Sequence, residues 1–162
     1  MWKALPITAV LFIYTSHFRS CMIKFENLYI LIAEDDIDDG EIVRDSFLTH
    51  PSFSKAHWVK NGKELLDFLH APDVAKPDVI LTDINMPILN GIEALQQIHT
   101  DAQLRKIPLF VYSSTINPIY ETKCKELGTR AFLTKPFNLG DFNQIPVQII
   151  STLMADDSAG DN

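Results

Sequence analysis

Short apolar runs alternate along the chain with segments in which apolar residues recur at helical spacing. The apolar runs are residues 28–33, 57–59, 79–81, 109–112 and 131–133. Their short length and their β-branched and aromatic content favour strands, and their nearly continuous apolarity is typical of strands covered on both faces. Strands separated by helical segments in this way predict an α/β domain with a doubly wound, five-stranded parallel sheet.

The helical segments carry their own boundary signals. Asn61 fits an N-cap because Glu64 follows three residues later, and Asn117-Pro118 has the form of an N-cap followed by proline at the first helical position. Pro146 lies where the last helix is expected, and an interior proline costs a helix about 3 kcal/mol. That helix therefore either begins late, with Pro146 in its first turn, or is kinked. The clearest helical periods are residues 38–49, 62–70 and 91–99.

Composition and charge narrow the possible function. The 162 residues, 46% hydrophobic and 22% charged, predict one globular domain of ordinary size with a complete core rather than a disordered chain. The formal net charge of -7 argues against non-specific binding to nucleic acid or to anionic membranes. Two cysteines and scattered histidines provide neither a disulfide framework nor a zinc pattern, so we expect a reducing, cytoplasmic location.

The two ends of the chain are set apart from the predicted domain, which spans residues 26–153. Residues 1–25 form an N-terminal extension whose apolar stretch, Ala4 to Tyr14, is too short to cross a bilayer as a helix. It is followed by no evident signal-peptidase site. The extension could be an upstream translation artefact before a natural start at Met22, an accessory helix, or a targeting segment. Residues 154–162 predict a flexible acidic tail.

Polar side chains follow four of the predicted strands. In sheets of this kind ligands bind beyond the carboxyl ends of the strands, so these side chains are expected to converge. Taken singly, each has an ordinary explanation as a helix cap, a turn former or a solvated residue. The residues are Glu34, Asp35 and Asp36 after the first strand, Asp83 after the third, Ser113 and Ser114 after the fourth, and Lys135 after the fifth.

A cluster of this composition suggests phosphoryl chemistry. Two carboxylates about 4 Å apart repel by about 4 kcal/mol at an effective dielectric constant of 20, so the cluster requires a cation, a lysine or raised pKa values. Carboxylate ligands with open water positions suit Mg²⁺, and an aspartate can attack phosphorus to give an acyl phosphate. Mg²⁺, Lys135 and Ser113 could stabilise the charge on the transferred group.

The motifs ILIAEDD, ILTDINMPILNG, PLFVYSS and AFLTKPF, in this order, resemble the receiver domain of two-component response regulators, in the single-domain form of chemotaxis regulators. The resemblance implies a flavodoxin-like sheet with strand order 2-1-3-4-5 and helices on both faces. It also implies that Asp83 accepts a phosphoryl group. Glu34, Asp35, Asp83 and the backbone carbonyl of Asn85 would hold Mg²⁺, with Glu34 acting mainly through water.

The resemblance assigns further roles near the ends of the last two strands. Lys135 would pair with the phosphoryl group, and the peptide bond before Pro136 would be cis. Ser113 and Phe132 would form the switch pair that responds to phosphorylation. The implied function is a signalling module rather than an enzyme, one that accepts phosphate from a sensor histidine kinase or a histidine phosphotransfer protein. Its output would be a downstream protein target, without direct binding of nucleic acid or membrane and with no output domain in the chain.

Three alternatives are weighed against this function. An aspartate-nucleophile phosphohydrolase of the haloacid dehalogenase type needs D-x-D at the nucleophile, whereas this chain has Asp83-Ile84-Asn85. A DNA-binding transcription factor needs a helix-turn-helix and a basic surface, which this acidic sequence does not provide. A receiver that no longer takes phosphate is opposed by the complete set of site residues.

Overall fold

The protein is represented by a computed structural model that describes residues 25–115 and 117–159. Over these residues five strands alternate with five α-helices. The strands are β1 (Leu28–Ala33), β2 (Phe53–Val59), β3 (Val79–Asp83), β4 (Leu109–Ser113) and β5 (Ala131–Thr134). The helices are α1 (Ile37–Thr49), α2 (Gly62–His70), α3 (Gly91–Thr100), α4 (Pro118–Glu126) and α5 (Gln144–Ala159), with 3₁₀ turns at Leu104–Lys106 and Leu139–Asn143.

The strands form one parallel sheet in the order β2-β1-β3-β4-β5, which confirms the predicted fold class. After β1 the chain adds β2 on one side and then returns to add β3 on the other. Strand order therefore reverses between β1 and β3, and this reversal opens a crevice at their carboxyl ends. The register brings Ala33 beside Thr82 and Asp83 beside Tyr112, so the strand ends lie at one level.

Two apolar layers cover the sheet, and strand alternation decides which side chains enter each. Helices α2, α3 and α4 pack on one face, and α1 and α5 pack on the other. Along β1, Leu31 and Ala33 enter the first layer, while Ile30 and Ile32 enter the second. The central strands β1, β3 and β4 are buried along their whole length, which explains their unbroken apolar sequence.

The helix boundaries follow the signals in the sequence. The side chain of Asn61 accepts a hydrogen bond from the backbone N–H of Glu64 at 2.9 Å, and that of Asn117 accepts one from Ile119 at 3.0 Å. Helix α5 begins at Gln144, after the 3₁₀ turn, so Pro146 lies in its first turn, where its missing N–H would have had no helical partner. The first of the two alternatives for Pro146 is therefore correct.

Residues 1–24 and 160–162 lie outside the described residues, so the expectations for the N-terminal extension and for the limits of the domain stay predictions. Helix α5 continues to Ala159, and the first part of the segment expected to be a flexible tail is therefore helical. Within the described part of the chain, no helix combines the length and the apolar character needed to cross a bilayer.

Candidate functional site

The alternation of side chains along the strands brings four polar groups to the α1/α5 side of the crevice. Ile32, Leu81, Tyr112 and Leu133 all belong to the apolar layer on that side. Glu34, Asp83 and Lys135 lie two residues beyond Ile32, Leu81 and Leu133, so their side chains leave the strands in the same direction. Acidic, phenolic and ammonium groups from four different segments therefore meet at the mouth of the sheet.

Lys135 is the centre of this cluster. Its Nζ lies 2.6 Å from Oε2 of Glu34, 3.1 Å from Oδ2 of Asp83 and 3.3 Å from Oδ2 of Asp39. Glu34 and Asp83 are buried with the lysine, whereas the Asp39 side chain is partly exposed. One ammonium group thus faces three carboxylates, two of which are buried.

Glu34 is held by contacts on both its side chain and its backbone. The phenol O–H of Tyr112 donates to Oε2, the oxygen that also faces Lys135, and the backbone N–H of Asp36 donates to Oε1 at 3.2 Å. The indole N–H of Trp58 donates to the Glu34 carbonyl at 2.8 Å. Glu34 has no exposed surface, and these donors replace part of the hydration that its carboxylate loses on burial.

Asp83 is positioned by the turn that follows β3. The backbone N–H of Ile84 donates to Oδ1 of Asp83 at 2.6 Å, and the N–H of Gly91 donates to the Ile84 carbonyl at 2.9 Å. A Cβ atom on Gly91 would lie 2.0 Å from the Asp83 carbonyl oxygen, so only glycine fits at this close approach. The sharp turn after the strand therefore fixes the carboxylate at the sheet's edge.

The pKa values reflect burial competing with these contacts. Desolvation raises the pKa of Asp83, although Lys135 and the backbone N–H groups of Ile84 and Asn85 oppose the rise. Desolvation likewise raises the pKa of Glu34, against the lowering effects of Lys135 and Tyr112. For Lys135, desolvation lowers the pKa, but the hydrogen bond to Glu34 and the charges of Asp83 and Glu34 outweigh it and raise the pKa overall. One ammonium does not fully offset the cost of burying these carboxylates.

Glu34, Asp35 and Asp83 fit a divalent metal ion. Each offers one carboxylate oxygen, and these oxygens all lie within 4.8 Å of one another. Asp35 is exposed, so this side of the cluster is open to solvent and leaves coordination positions for water. Hard oxygen donors with open positions are the set that Mg²⁺ prefers. Asn85 is exposed in the turn directly after Asp83 and Ile84, and the role of its carbonyl as a ligand stays a prediction.

Ser113 and Phe132 lie on the other face of the sheet. Phe132 pairs with Val111 across β4 and β5 and is half-buried against the layer formed by α2, α3 and α4. Ser113 is buried at the end of β4, and its Oγ accepts a hydrogen bond from the backbone N–H of Thr115 at 3.3 Å. The two side chains therefore share one face of the sheet, and their role as a switch stays a prediction.

Two contributors to the cluster were not identified from the sequence. Asp39 was not among the polar residues expected to converge at the strand ends, and Tyr112 was assigned to the apolar run 109–112. The prediction of a cis bond before Pro136 was wrong, because no cis peptide bond occurs among the described residues. The trans form is the lower in energy for most X-Pro bonds.

The sequence of this chain is similar to those of several known proteins. The family model described as the response regulator receiver domain matches residues 30–145. The two-component response regulator ARR17 of Arabidopsis thaliana is 27% identical over 142 residues, which cover 82% of this chain and 92% of that protein. The regulator ORR3 of Oryza sativa subsp. indica is 29% identical over 122 residues, covering 75% of this chain and 90% of that one.

Solved structures give the same result at the level of the fold. The phosphorylated cyanobacterial phytochrome response regulator RcpA superposes with a TM-score of 0.71 at 28% identity, covering 76% of this chain and 91% of RcpA. The Mn²⁺-bound form of the response regulator Rcp1 gives a TM-score of 0.69 at 26% identity, covering 78% of this chain and 94% of Rcp1. None of these matches points to the phosphohydrolase alternative.

Proposed function

Because the chain belongs to the response regulator receiver domain family, we propose that it is a switch controlled by phosphorylation of Asp83 in the presence of Mg²⁺. The observation that carries the proposal is the contact of the Lys135 ammonium with both Asp83 and Glu34, beside an open group of three carboxylates. A nucleophile, a cation site and an anion-binding group are thereby combined in one crevice. These are the three components that phosphoryl transfer to a carboxylate requires.

Glu34, Asp35 and Asp83 would hold the metal, with the Asn85 carbonyl as a further ligand. A bound Mg²⁺ would neutralise carboxylate charge and stabilise the negative oxygens of the phosphoryl group. The proposal is supported by the distances among the three carboxylates and by the Mn²⁺-bound form of the related regulator Rcp1.

The transfer step is a displacement at phosphorus. A carboxylate oxygen of Asp83 forms a bond to the phosphorus atom of a phosphohistidine, and the bond between phosphorus and the histidine nitrogen breaks. The electron pair of the broken bond stays on that nitrogen, which takes up a proton from solvent. The products are an acyl phosphate on Asp83 and a free histidine on the donor. Lys135 then turns part of its hydrogen bonding from the carboxylates to the phosphoryl oxygens, because charge-assisted contacts to those oxygens are strong.

Ser113 and Phe132 would transmit the change. The hydroxyl of Ser113 lies at the end of the strand next to β3, one residue beyond the partner of Asp83, so a short movement would bring it to a phosphoryl oxygen. Phe132 would occupy space on the same face as Ser113 moves, which changes the surface around α4 and β5. The phosphoryl group shifts the equilibrium only by the difference in its interactions with the two states.

We propose a sensor histidine kinase or a histidine phosphotransfer protein as the donor and a separate protein as the target. In this function the domain promotes its own phosphorylation and dephosphorylation but turns over no other substrate, so it is a signalling module rather than an enzyme. The cytoplasmic location stays a prediction from the sequence.

Phosphorylation with acetyl phosphate and Mg²⁺ tests the proposal, with mass spectrometry as the readout. We expect one added phosphoryl group that is lost in Asp83→Asn and in the presence of EDTA. Asp78→Asn is the matched control, because Asp78 lies at the opposite end of β3, where its carboxylate accepts a hydrogen bond from the backbone of Tyr29. Phosphorylation that survives in Asp83→Asn, or that needs no metal, would contradict the proposed function.

A further inference from the structure

Tyr112 contacts both members of the ion pair beside the phosphoacceptor. Its hydroxyl donates to Oε2 of Glu34, and the Nζ of Lys135 lies 4.9 Å from the centroid of its ring. The same Nζ lies 2.6 Å from Oε2 of Glu34 and 3.1 Å from Asp83. A single aromatic side chain therefore binds the carboxylate through its edge and the ammonium through its face.

These contacts determine which oxygen of Glu34 remains available. Oε2 accepts from the Tyr112 phenol and the Lys135 ammonium, whereas Oε1 accepts, among the described residues, the N–H of Asp36 alone, at 3.2 Å. A carboxylate held in this way presents one oxygen to the protein's interior. Its other oxygen is directed toward the segment that carries Asp35, the most exposed of the three carboxylates.

We propose that Tyr112 is a positioning residue that holds Glu34 and Lys135 in the arrangement required to bind the metal and to receive the phosphoryl group. The inference rests on the proposed function, because it concerns the metal site of the same crevice. Tyr112 touches neither the phosphoryl group nor the metal, and it acts through Glu34. Donors that orient a metal-ligating side chain in this manner commonly contribute about tenfold or more to metal affinity.

If Tyr112 served only to pack the core, its ring would matter and its hydroxyl would not. The residue is fully buried in the layer beneath α1 and α5, and a phenylalanine would fill that space equally well. A buried hydroxyl is costly unless it is bonded, and here its partner is a carboxylate of the proposed metal site. Removing the hydroxyl while keeping the ring therefore separates a positioning role from a packing role.

Tyr112→Phe removes the hydroxyl and keeps the ring. We expect the dissociation constant for Mg²⁺, measured by titration calorimetry, to rise about tenfold. Without metal, in EDTA, we expect the thermal midpoint to fall by about 5 °C, because a hydrogen bond to a buried charge is lost. Tyr29→Phe is the matched control: its buried hydroxyl finds no hydrogen-bond partner among the described residues, and it lies near the start of β1, at the opposite end of the strand from Glu34, so its loss should leave Mg²⁺ affinity unchanged.

A double-mutant cycle with Glu34→Gln tests whether Tyr112 acts through Glu34. In the Glu34→Gln background, Tyr112→Phe should cause no more than a small further loss of Mg²⁺ affinity. The inference is overturned if the wild-type protein binds Mg²⁺ and Tyr112→Phe binds it equally well, or if the full tenfold loss persists without Glu34. A wild-type protein that neither binds Mg²⁺ nor takes phosphate overturns the proposed function itself, and the inference with it.

Discussion

Replacing Asp83 by asparagine should make the metal-free protein more stable while it abolishes phosphorylation. Asparagine has nearly the same shape as aspartate and keeps an oxygen that can accept the N–H of Ile84. It removes one negative charge from a site in which Lys135 is shared among three carboxylates. The proposed phosphoacceptor is therefore expected to lower the stability of the resting fold.

The size of the change in the free energy of unfolding follows from the distances around Asp83. Its attraction to Lys135, at 3.1 Å, amounts to about 5 kcal/mol at an effective dielectric constant of 20. Its repulsion from Glu34 and from Asp35, with oxygens within 4.8 Å, is about 3.5 kcal/mol for each pair, although solvent screens the pair with the exposed Asp35. Burial adds a further cost to the charged form. We therefore expect Asp83→Asn to increase the free energy of unfolding by about 1–2 kcal/mol.

The raised pKa of Asp83 also predicts that Asp83→Asn stabilises the fold at neutral pH. Because it is raised in the folded protein, the carboxyl group stabilises the fold below its unfolded-state pKa, and this stabilisation is lost as the pH rises through the folded-state pKa. At neutral pH the ionised group therefore carries a penalty that asparagine avoids. The advantage of Asp83→Asn should shrink as the pH falls into the range where the carboxyl is protonated.

Urea denaturation in EDTA and in saturating Mg²⁺ measures both parts of this prediction. In EDTA the variant should unfold at a higher urea concentration than the wild type. Mg²⁺ should stabilise the wild type more than the variant, because the variant lacks a charged ligand. A variant that is less stable than the wild type in EDTA at neutral pH would show that Lys135 overcompensates the carboxylates, and the reasoning would fail.

Three further predictions follow from single contacts. Lys135→Met should lower the free energy of unfolding in EDTA by about 3–5 kcal/mol, because it leaves buried carboxylates without a compensating charge. Mg²⁺ should recover part of the loss, and equal denaturation midpoints for variant and wild type in EDTA would refute this prediction. Gly91→Ala should cost about 1–3 kcal/mol by thermal denaturation, because its Cβ would meet the Asp83 carbonyl, whereas Gly140→Ala has free space and should cost little. Burial raises the pKa of the Cys124 thiol to about 11. In a variant with Cys21 replaced by serine, this thiol should therefore react with a disulfide reagent at about pH 8 only after unfolding. Rapid labelling of the folded protein would contradict this prediction.

The convergence of the site was predictable because it depends on topology. Parallel strands end at one edge, so any polar residues that follow them are brought together whatever their rotamers. Glu34, Asp83 and Lys135 lie at the ends of β1, β3 and β5, and the structure places the carboxylates of Glu34 and Asp83 within hydrogen-bonding distance of Lys135. The fold class and the helix caps were predictable for a similar reason, since each is specified by local pattern and spacing.

Two other contacts of Lys135, those with Asp39 and Tyr112, were not predictable in the same way. Asp36 caps helix α1 by accepting the backbone N–H of Asp39 at 3.0 Å. This cap places Asp39 in the first turn of the helix, from which its carboxylate reaches Lys135. Tyr112 was concealed within an apolar run. A buried tyrosine in a central strand needs a partner for its hydroxyl, and this requirement was the signal that could have identified it.

The charge balance of the resting site connects these contacts to function. The pKa values of Glu34 and Asp83 remain raised although Lys135 contacts both, so the ammonium alone does not offset their burial. The remaining negative charge lies next to the exposed Asp35, at the side of the cluster open to solvent. A dication bound there would correct the imbalance and weaken the hold of Asp83 on Lys135. The lysine would then be free to bind an incoming phosphoryl group, which gives a physical reason for metal binding to precede phosphoryl transfer.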